Sequence, residues 1–177
     1  MASSLSTLIE RLDEERQSFV DALDAAPPDL LTSKPSADAW SPLEIAEHVY
    51  RTERSVLRGV SKQLDPENER RNIGEPSRAR FIALIVALRS PAKFKVPPNA
   101  AAVVPGEMAY EEIRADWTSF QAQWESIMAN FPTEFESVGL TRHPVSGPMT
   151  LGQGLQFLAV HAARHLRQFE RALNVLE

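Results

Sequence analysis

Residues 150–176 read TLGQGLQFLAVHAARHLRQFERALNVL, and their spacing is that of a long amphipathic helix. Thr150 and Gln153 have the Thr-x-x-Gln spacing of a capping box, in which side chains pair with the unbonded amide groups at a helix start. Side chains at steps of three, four and seven then share one face, formed by Leu151, Gly154, Leu158, His161, His165 and Ala172. We expect this face to pack into the core.

Two histidines on that face lie one helical turn apart. The spacing lets His161 and His165 reach a single point beside the helix, which is typical of metal ligands. Histidines four residues apart also occur by chance on helix faces. Buried histidines that are only hydrogen-bonded are therefore the alternative interpretation.

The composition predicts one globular domain over residues 1–177. The chain is 43% hydrophobic and 24% charged, which is ordinary for a soluble protein. Its net charge of −5 argues against nucleic acid or an anionic membrane surface as a partner. The absence of cysteine excludes disulfides, thiolate ligands and a cysteine nucleophile, and it is compatible with a reducing cytoplasm. We expect a cytoplasmic protein, because the N-terminus has no apolar signal core and the apolar run at 81–88 is too short to span a bilayer.

Three further segments have the period of long helices: residues 3–25, 41–64 and 108–130. With the helix at 150–176 they predict an all-α, four-helix bundle. The second and third helices are separated by a long crossover, which should contain a short helix at 78–89. Prolines exclude a long helix at 90–106 and favour an extended segment that lines or covers a pocket. Residues 132–149 should form a short hairpin or irregular turns.

The second helix starts with a clear signal. Ser41 is the predicted N-cap, Pro42 occupies the first helical position, and Glu44 completes a Ser-x-x-Glu capping box. His48 shares the inner face of this helix with aliphatic side chains. The solvent-facing side is predicted to hold Glu47, Arg51, Arg54 and Arg58.

His48, His161 and His165 therefore lie on predicted inner faces of two helices. Neutral imidazole binds zinc, nickel and similar divalent ions, and three histidines leave a ligand position for water or substrate. Such an ion would lower the pKa of its water or polarise a substrate oxygen. No phosphate-binding glycine loop is present, and no serine has the surroundings of a nucleophile elbow.

Several neighbours of the histidines have two interpretations. Glu44 either serves only the capping box or also orients His48 by accepting a hydrogen bond. His143 is expected at the surface of a proline-flanked loop, with access to the pocket as the alternative. Arg164 and Arg167 are expected on a solvated face, whereas Gln168 is placed to hydrogen-bond near the site. The three tryptophans are predicted to be core or pocket-wall residues: Trp40, Trp117 and Trp124.

Two of these segments resemble signatures of the DinB/YfiT-like superfamily. Residues 40–48, WSPLEIAEH, are similar to its W-S-x-x-E-x-x-x-H motif, and residues 161–168, HAARHLRQ, to its H-x-x-x-H-x-x-Q motif. The proline-rich segment at 90–106 has the placement of the family's crossover. The resemblance covers nearly the whole chain and implies a four-helix bundle that holds a divalent metal through His48, His161 and His165.

The resemblance also implies a class of function. Better-understood relatives are transferases or isomerases that use small thiols such as mycothiol or bacillithiol. We therefore expect a metal-dependent enzyme, either a transferase using a low-molecular-weight thiol or a related hydrolase, with zinc or nickel as its metal and a small-molecule substrate. A non-catalytic metal- or ligand-binding bundle is the alternative. Relatives often form homodimers, and the apolar residues Leu84, Ile85 and Leu88 are the predicted contact surface here.

Overall fold

The computed structural model describes residues 2–67, 73–92 and 97–177, with side chains described from residue 5 onward. The helices and strands of this part of the chain follow the predicted order. The α-helices are α1 (Ala2–Ala25), α2 (Pro28–Leu31), α3 (Pro42–Leu64), α4 (Arg78–Arg89), α5 (Tyr110–Trp117), α6 (Phe120–Ala129) and α7 (Leu151–Leu176). Short 3₁₀ helices lie at Pro98–Val103 and Thr133–Phe135, and two strands pair at β1 (Thr141–His143) and β2 (Gly147–Met149).

Helices α3 and α7 are the two most extensively packed helices of the described chain, and α7 has the largest contact, with α1. Helix α7 packs against α1, α3 and α4, while α1 contacts α6 and α3 contacts α5. The predicted four-helix bundle is confirmed, with α1, α3, α7 and the pair α5–α6 as its four members. Helix α4 and the first 3₁₀ helix belong to the crossover between α3 and α5.

The third predicted helix is divided, which corrects the expectation of one helix over 108–130. Helix α5 ends at Trp117 and α6 begins at Phe120. Between them, the hydroxyl of Thr118 donates to the carbonyl of Arg114 at 3.1 Å, and that of Ser119 donates to the carbonyl of Asp116 at 2.6 Å. Hydroxyls that bond to carbonyls of the preceding turn compete with the regular backbone hydrogen bonds of the helix and tighten that turn.

Helix α4 matches its prediction in extent but not in its exposed residues. Leu84, Ile85 and Leu88, the expected dimer surface, are all buried within this chain. The large exposed apolar side chains of α4 are instead Ile82 and Val86. The residues on which the homodimer prediction depended are therefore used by the chain's own core. Within the described residues, no helix is both long enough and apolar enough to cross a membrane.

The proline-rich segment at 90–106 lies partly outside the described residues, which omit 93–96. The described remainder contains no long α-helix, as predicted, but residues 98–103 form a 3₁₀ helix rather than the extended segment that was expected. This 3₁₀ helix packs against α3. It therefore lies across the bundle next to the helix that carries His48.

Residues 141–149 form the hairpin that was one of the two expectations for this connection. Strands β1 and β2 are antiparallel, and His143 pairs with Gly147 across a three-residue loop. Gly147 has a φ of +79°, a conformation that side-chain-bearing residues rarely adopt and that closes loops of this kind. The hairpin leads directly into the first turn of α7.

A buried polar cluster fixes α3 against three other helices. The Glu53 carboxylate accepts hydrogen bonds from Arg16 at 2.7 Å, from the Trp117 indole at 2.7 Å and from the Trp124 indole at 3.0 Å. Glu53 and Arg16 are 2% and 3% exposed. The periodicity of α3 could have placed Glu53 inside, since it lies four residues after the buried Val49. Its three partners could not be inferred from spacing.

Candidate metal centre

Helix α3 brings His48 into the core. The predicted capping box is confirmed, because Ser41 Oγ accepts from the Glu44 amide at 3.2 Å and the Glu44 carboxylate accepts from the Ser41 amide at 2.7 Å. His48, one turn further on, is 5% exposed. Its ring packs against Trp40, with ring centroids 5.0 Å apart, so Trp40 is a wall of the site as predicted.

Helix α7 supplies the other two imidazoles. Its capping box is also confirmed, with reciprocal bonds of 3.1 and 3.2 Å between Thr150 and Gln153. The rings of His161 and His165 lie 4.4 Å apart between centroids. His161 is 6% exposed, and His165 is half-buried.

The structure brings all three predicted ligands together. His48, His161 and His165 each offer one nitrogen, and these nitrogens lie within 4.8 Å of one another. Nε2 of His48 is 3.2 Å from Nε2 of His161. Two nitrogens on one tetrahedral zinc ion would be roughly 3.3 Å apart, given zinc–nitrogen bonds of about 2.0–2.1 Å. The spacing of this pair therefore fits two ligands of one ion.

Hydrogen bonds fix the tautomers of two of the rings. Nδ1 of His48 lies 2.7 Å from the Val103 carbonyl oxygen, and Nδ1 of His165 lies 2.9 Å from Oε1 of Gln168. Because both oxygens only accept, each Nδ1 must carry the proton. In the neutral rings this leaves a lone pair on each Nε2, the form that a metal ligand requires.

Burial keeps the three imidazoles neutral. It lowers the pKa of His165 to about 3, assisted by the nearby His48 and opposed by the bond to Gln168. It lowers the pKa of His161 well below the usual value, with further contributions from His165 and His48. For His48, burial lowers the pKa against the opposing bond to Val103. At neutral pH no proton competes for these nitrogens, as metal binding requires.

The sequence profile of the DinB superfamily matches residues 11–169. The chain belongs to the DinB superfamily. A crystal structure described as that of "TT2238, a four-helix bundle protein" resembles it with a TM-score of 0.59 and 21% sequence identity, over 94% of this chain and 98% of that chain. At this identity the likeness shows the fold alone. A comparison with curated proteins found no significant match.

The residues of this DinB protein fit a divalent cation. The donor set is three neutral imidazoles, which suit zinc and nickel, and two of the rings have the Nδ1 partners that metal-bound histidines usually have. The third ring differs, because Nδ1 of His161 is buried without a hydrogen-bond partner in the described part of the chain. Among those residues this is the one group of three possible ligands close enough to share an ion.

His143 is closer to the centre of the DinB chain than its surface assignment predicts. Its ring packs against Phe157 at 4.8 Å, and Phe157 packs against His161 at 5.2 Å between centroids. Nδ1 of His143 accepts from the amides of Val145 and Ser146 at 3.2 and 3.3 Å. The ring proton therefore lies on Nε2, and burial lowers the pKa of His143 to about 4.

Arg164 corrects a second surface assignment. It is half-buried, and its guanidinium donates to the carbonyls of Leu88 at 2.9 Å and Ser90 at 2.8 Å, and also to that of Ala92. It thus ties the end of α4, in the middle of the crossover, to the histidine helix of the DinB fold. Arg167 is exposed, in agreement with its assignment.

Gln168 and Glu44 are the remaining neighbours for which the sequence offered a role beside the histidines. Gln168 bonds to the ring of His165, in agreement with its predicted role near the site. Glu44 serves the capping box and accepts from Lys34 at 2.8 Å, whereas the Nδ1 proton of His48 goes to a backbone carbonyl instead. The sequence does not indicate that carbonyl, because side-chain patterns do not show which peptide group will face a histidine.

Proposed function

We propose that this DinB-superfamily protein is a divalent-metal-dependent enzyme that transfers a group to or from a low-molecular-weight thiol, or a related hydrolase. The observation that supports it best is the convergence of three neutral imidazoles on one buried point. Zinc is the proposed metal, with nickel as the second choice. A cation held there would act as a Lewis acid and lower the pKa of a thiol or water at its remaining position.

The chain's own residues prepare this chemistry by orienting the imidazoles and by excluding water from around them. The Val103 carbonyl and Gln168 hold the Nδ1 protons, so that Nε2 of His48 and of His165 is available to the cation. Trp40 and Phe157 cover two of the rings with apolar surface. Electrostatic interactions are stronger in such surroundings than in water.

The proposed substrate is a small molecule rather than nucleic acid, since the net charge is −5. Because the chain contains no cysteine, a thiol must come from the cosubstrate. Mycothiol and bacillithiol, implied by the sequence resemblance, are the first thiols to test. A simple ester is the corresponding substrate for testing the alternative activity, hydrolysis.

Metal analysis of protein purified without a histidine tag tests the first part of the proposal. The zinc-loaded protein is then incubated with each thiol and a panel of electrophiles, with the His48→Ala variant as control. We expect about one ion per chain and a turnover that the variant lacks. Zinc-loaded protein that is inert toward every thiol, electrophile and ester would favour the alternative, a non-catalytic metal-binding bundle.

A further inference from the structure

The end of the crossover docks onto α3 through two successive residues of that helix. His48 Nδ1 donates to the Val103 carbonyl at 2.7 Å, and the Glu47 carboxylate accepts from the Gly106 amide at 2.9 Å. Residues 103 and 106 belong to one short stretch, and residues 47 and 48 are adjacent. A contact at Glu47 therefore restricts where the Val103 carbonyl can lie relative to the imidazole of His48.

The side chain of Glu47 is buried, although its position on α3 was predicted to face solvent. It is 1% exposed, and the oxygen that accepts from Gly106 also accepts from Nε of Arg51 at 2.6 Å. A Cβ atom on Gly106 would lie 3.0 Å from Nη2 of Arg51 and 3.3 Å from Oε1 of Glu47. The backbone at 106 thus lies directly against this ion pair. Burying a carboxylate is costly unless it is paired and hydrogen-bonded, and both partners are present here.

We propose that Glu47 is a positioning residue for the metal centre, and that docking of residues 97–106 and binding of a divalent cation stabilise each other. The proposal rests on the proposed function, because it requires that the same three histidines hold the ion. Glu47 has no contact with the cation in this scheme. It acts by holding Gly106, so that the Val103 carbonyl keeps the proton of His48 on Nδ1.

The physical reason is the freedom that His48 would otherwise have. Without an acceptor at Nδ1, the ring can place its proton on Nε2 or turn away from the other imidazoles. Loss of such outer partners typically lowers metal affinity about 10–100-fold. Because coupling between two equilibria is reciprocal, the factor by which docking tightens metal binding is also the factor by which the metal tightens docking.

Substitution of Glu47 tests the proposal, with zinc as the probe. Glu47→Leu removes both accepted hydrogen bonds. It places an apolar side chain of similar length in the buried position. Glu47→Gln retains an oxygen that can accept from Gly106, so it is the rescue variant. Val60→Ala is the matched control, because Val60 is fully buried on α3 about 20 Å further along the helix. It lowers stability without touching the docked segment.

Two measurements separate positioning from a general loss of stability. Zinc affinity is measured by competition with a chromogenic chelator, and amide hydrogen exchange is followed at Gly106 with and without zinc. For Glu47→Leu we expect zinc affinity about tenfold weaker or more and faster exchange at Gly106. For Glu47→Gln and Val60→Ala we expect an affinity within about threefold of the unsubstituted protein. In the unsubstituted protein, zinc should slow exchange at Gly106.

The possible failures are distinguishable. Glu47→Leu with unchanged zinc affinity would overturn the positioning role while leaving the metal site intact. Unchanged exchange at Gly106 on addition of zinc would overturn the coupling. If the unsubstituted protein binds no zinc, the proposed function fails as well. Exchange at Gly106 in metal-free Glu47→Leu, compared with the metal-free unsubstituted protein, then shows whether Glu47 holds the crossover at all.

Discussion

Nε2 of His48 and Nε2 of His161 lie 3.2 Å apart, although 113 positions separate them in sequence. The contact depends on the packing of α3 against α7, since each helix carries only one of the two rings. Neither helix alone contains the site. Substitutions of the histidines should therefore affect metal binding as one unit.

We expect His48→Ala to weaken metal binding about as severely as His165→Ala. Each substitution leaves two histidines, which is fewer protein ligands than zinc sites normally use. Metal content after purification measures the effect. Both variants should still fold, because caps and apolar faces of α3 and α7 are unchanged. Full metal retention in His48→Ala would refute the three-histidine site.

His143→Ala is the matched histidine control, and we expect it to retain its metal. It should lower stability by about 1 kcal/mol, because the amides of Val145 and Ser146 lose their acceptor and only the exposed Val145 can bond to water instead. His143→Asn keeps an acceptor near the position of Nδ1 and should recover much of that loss. Urea unfolding and metal content of the two variants check this. Metal loss in both would make His143 part of the centre.

The stability of the metal-free protein should fall as the pH drops below about 6.5, the pKa of an unperturbed histidine. In the folded state the pKa of His143 is about 4 and that of His165 about 3. Between these values and 6.5 the unfolded chain binds more protons than the folded one, so protonation favours unfolding. The His143 part of the decline should end near pH 4 and the His165 part near pH 3, and the decline should be shallower in His143→Asn. Unfolding free energies measured across this range without zinc would show it, and identical slopes would contradict it.

Gln168→Leu should weaken zinc binding by about 10–100-fold, because His165 loses the acceptor of its Nδ1 proton. Gln168→Glu is the informative partner, since a carboxylate still accepts that proton and raises the basicity of the ring. Its affinity should equal or exceed that of the unsubstituted protein. Equal weakening in both variants would show that the glutamine does not act through His165.

Glu53→Leu should lower stability by about 3–5 kcal/mol without a selective effect on zinc binding. The change removes the Glu53 ion pair of the buried Arg16, which keeps only Asp13 as a partner, and it leaves the buried indole donors of Trp117 and Trp124 without their acceptor. Glu170→Leu, at an exposed position of α7, should stay within about 0.5 kcal/mol. Urea unfolding compares the two, and a small loss in Glu53→Leu would show that the cluster contributes little.

The main helices and the three histidines of the candidate site could be predicted because their signals are local. The capping boxes at Ser41 and Thr150 act within one turn, so their residues alone mark where α3 and α7 begin. The periodicity that placed His161 and His165 on one face also extends over only a few turns. The division between α5 and α6 was missed, although Thr118 and Ser119 carry the hydroxyls that tighten the backbone there.

The sequence by itself determined the bundle class, both capped helix starts and the three histidines, because spacing along a helix fixes which side chains share a face. Only the tertiary structure decided that Glu47 is buried, that Arg164 holds the crossover and that Val103 faces His48. The last contact joins positions 55 apart and uses a backbone carbonyl, which every residue possesses. The path of the crossover over α3 selects that carbonyl, and side-chain identity does not encode it.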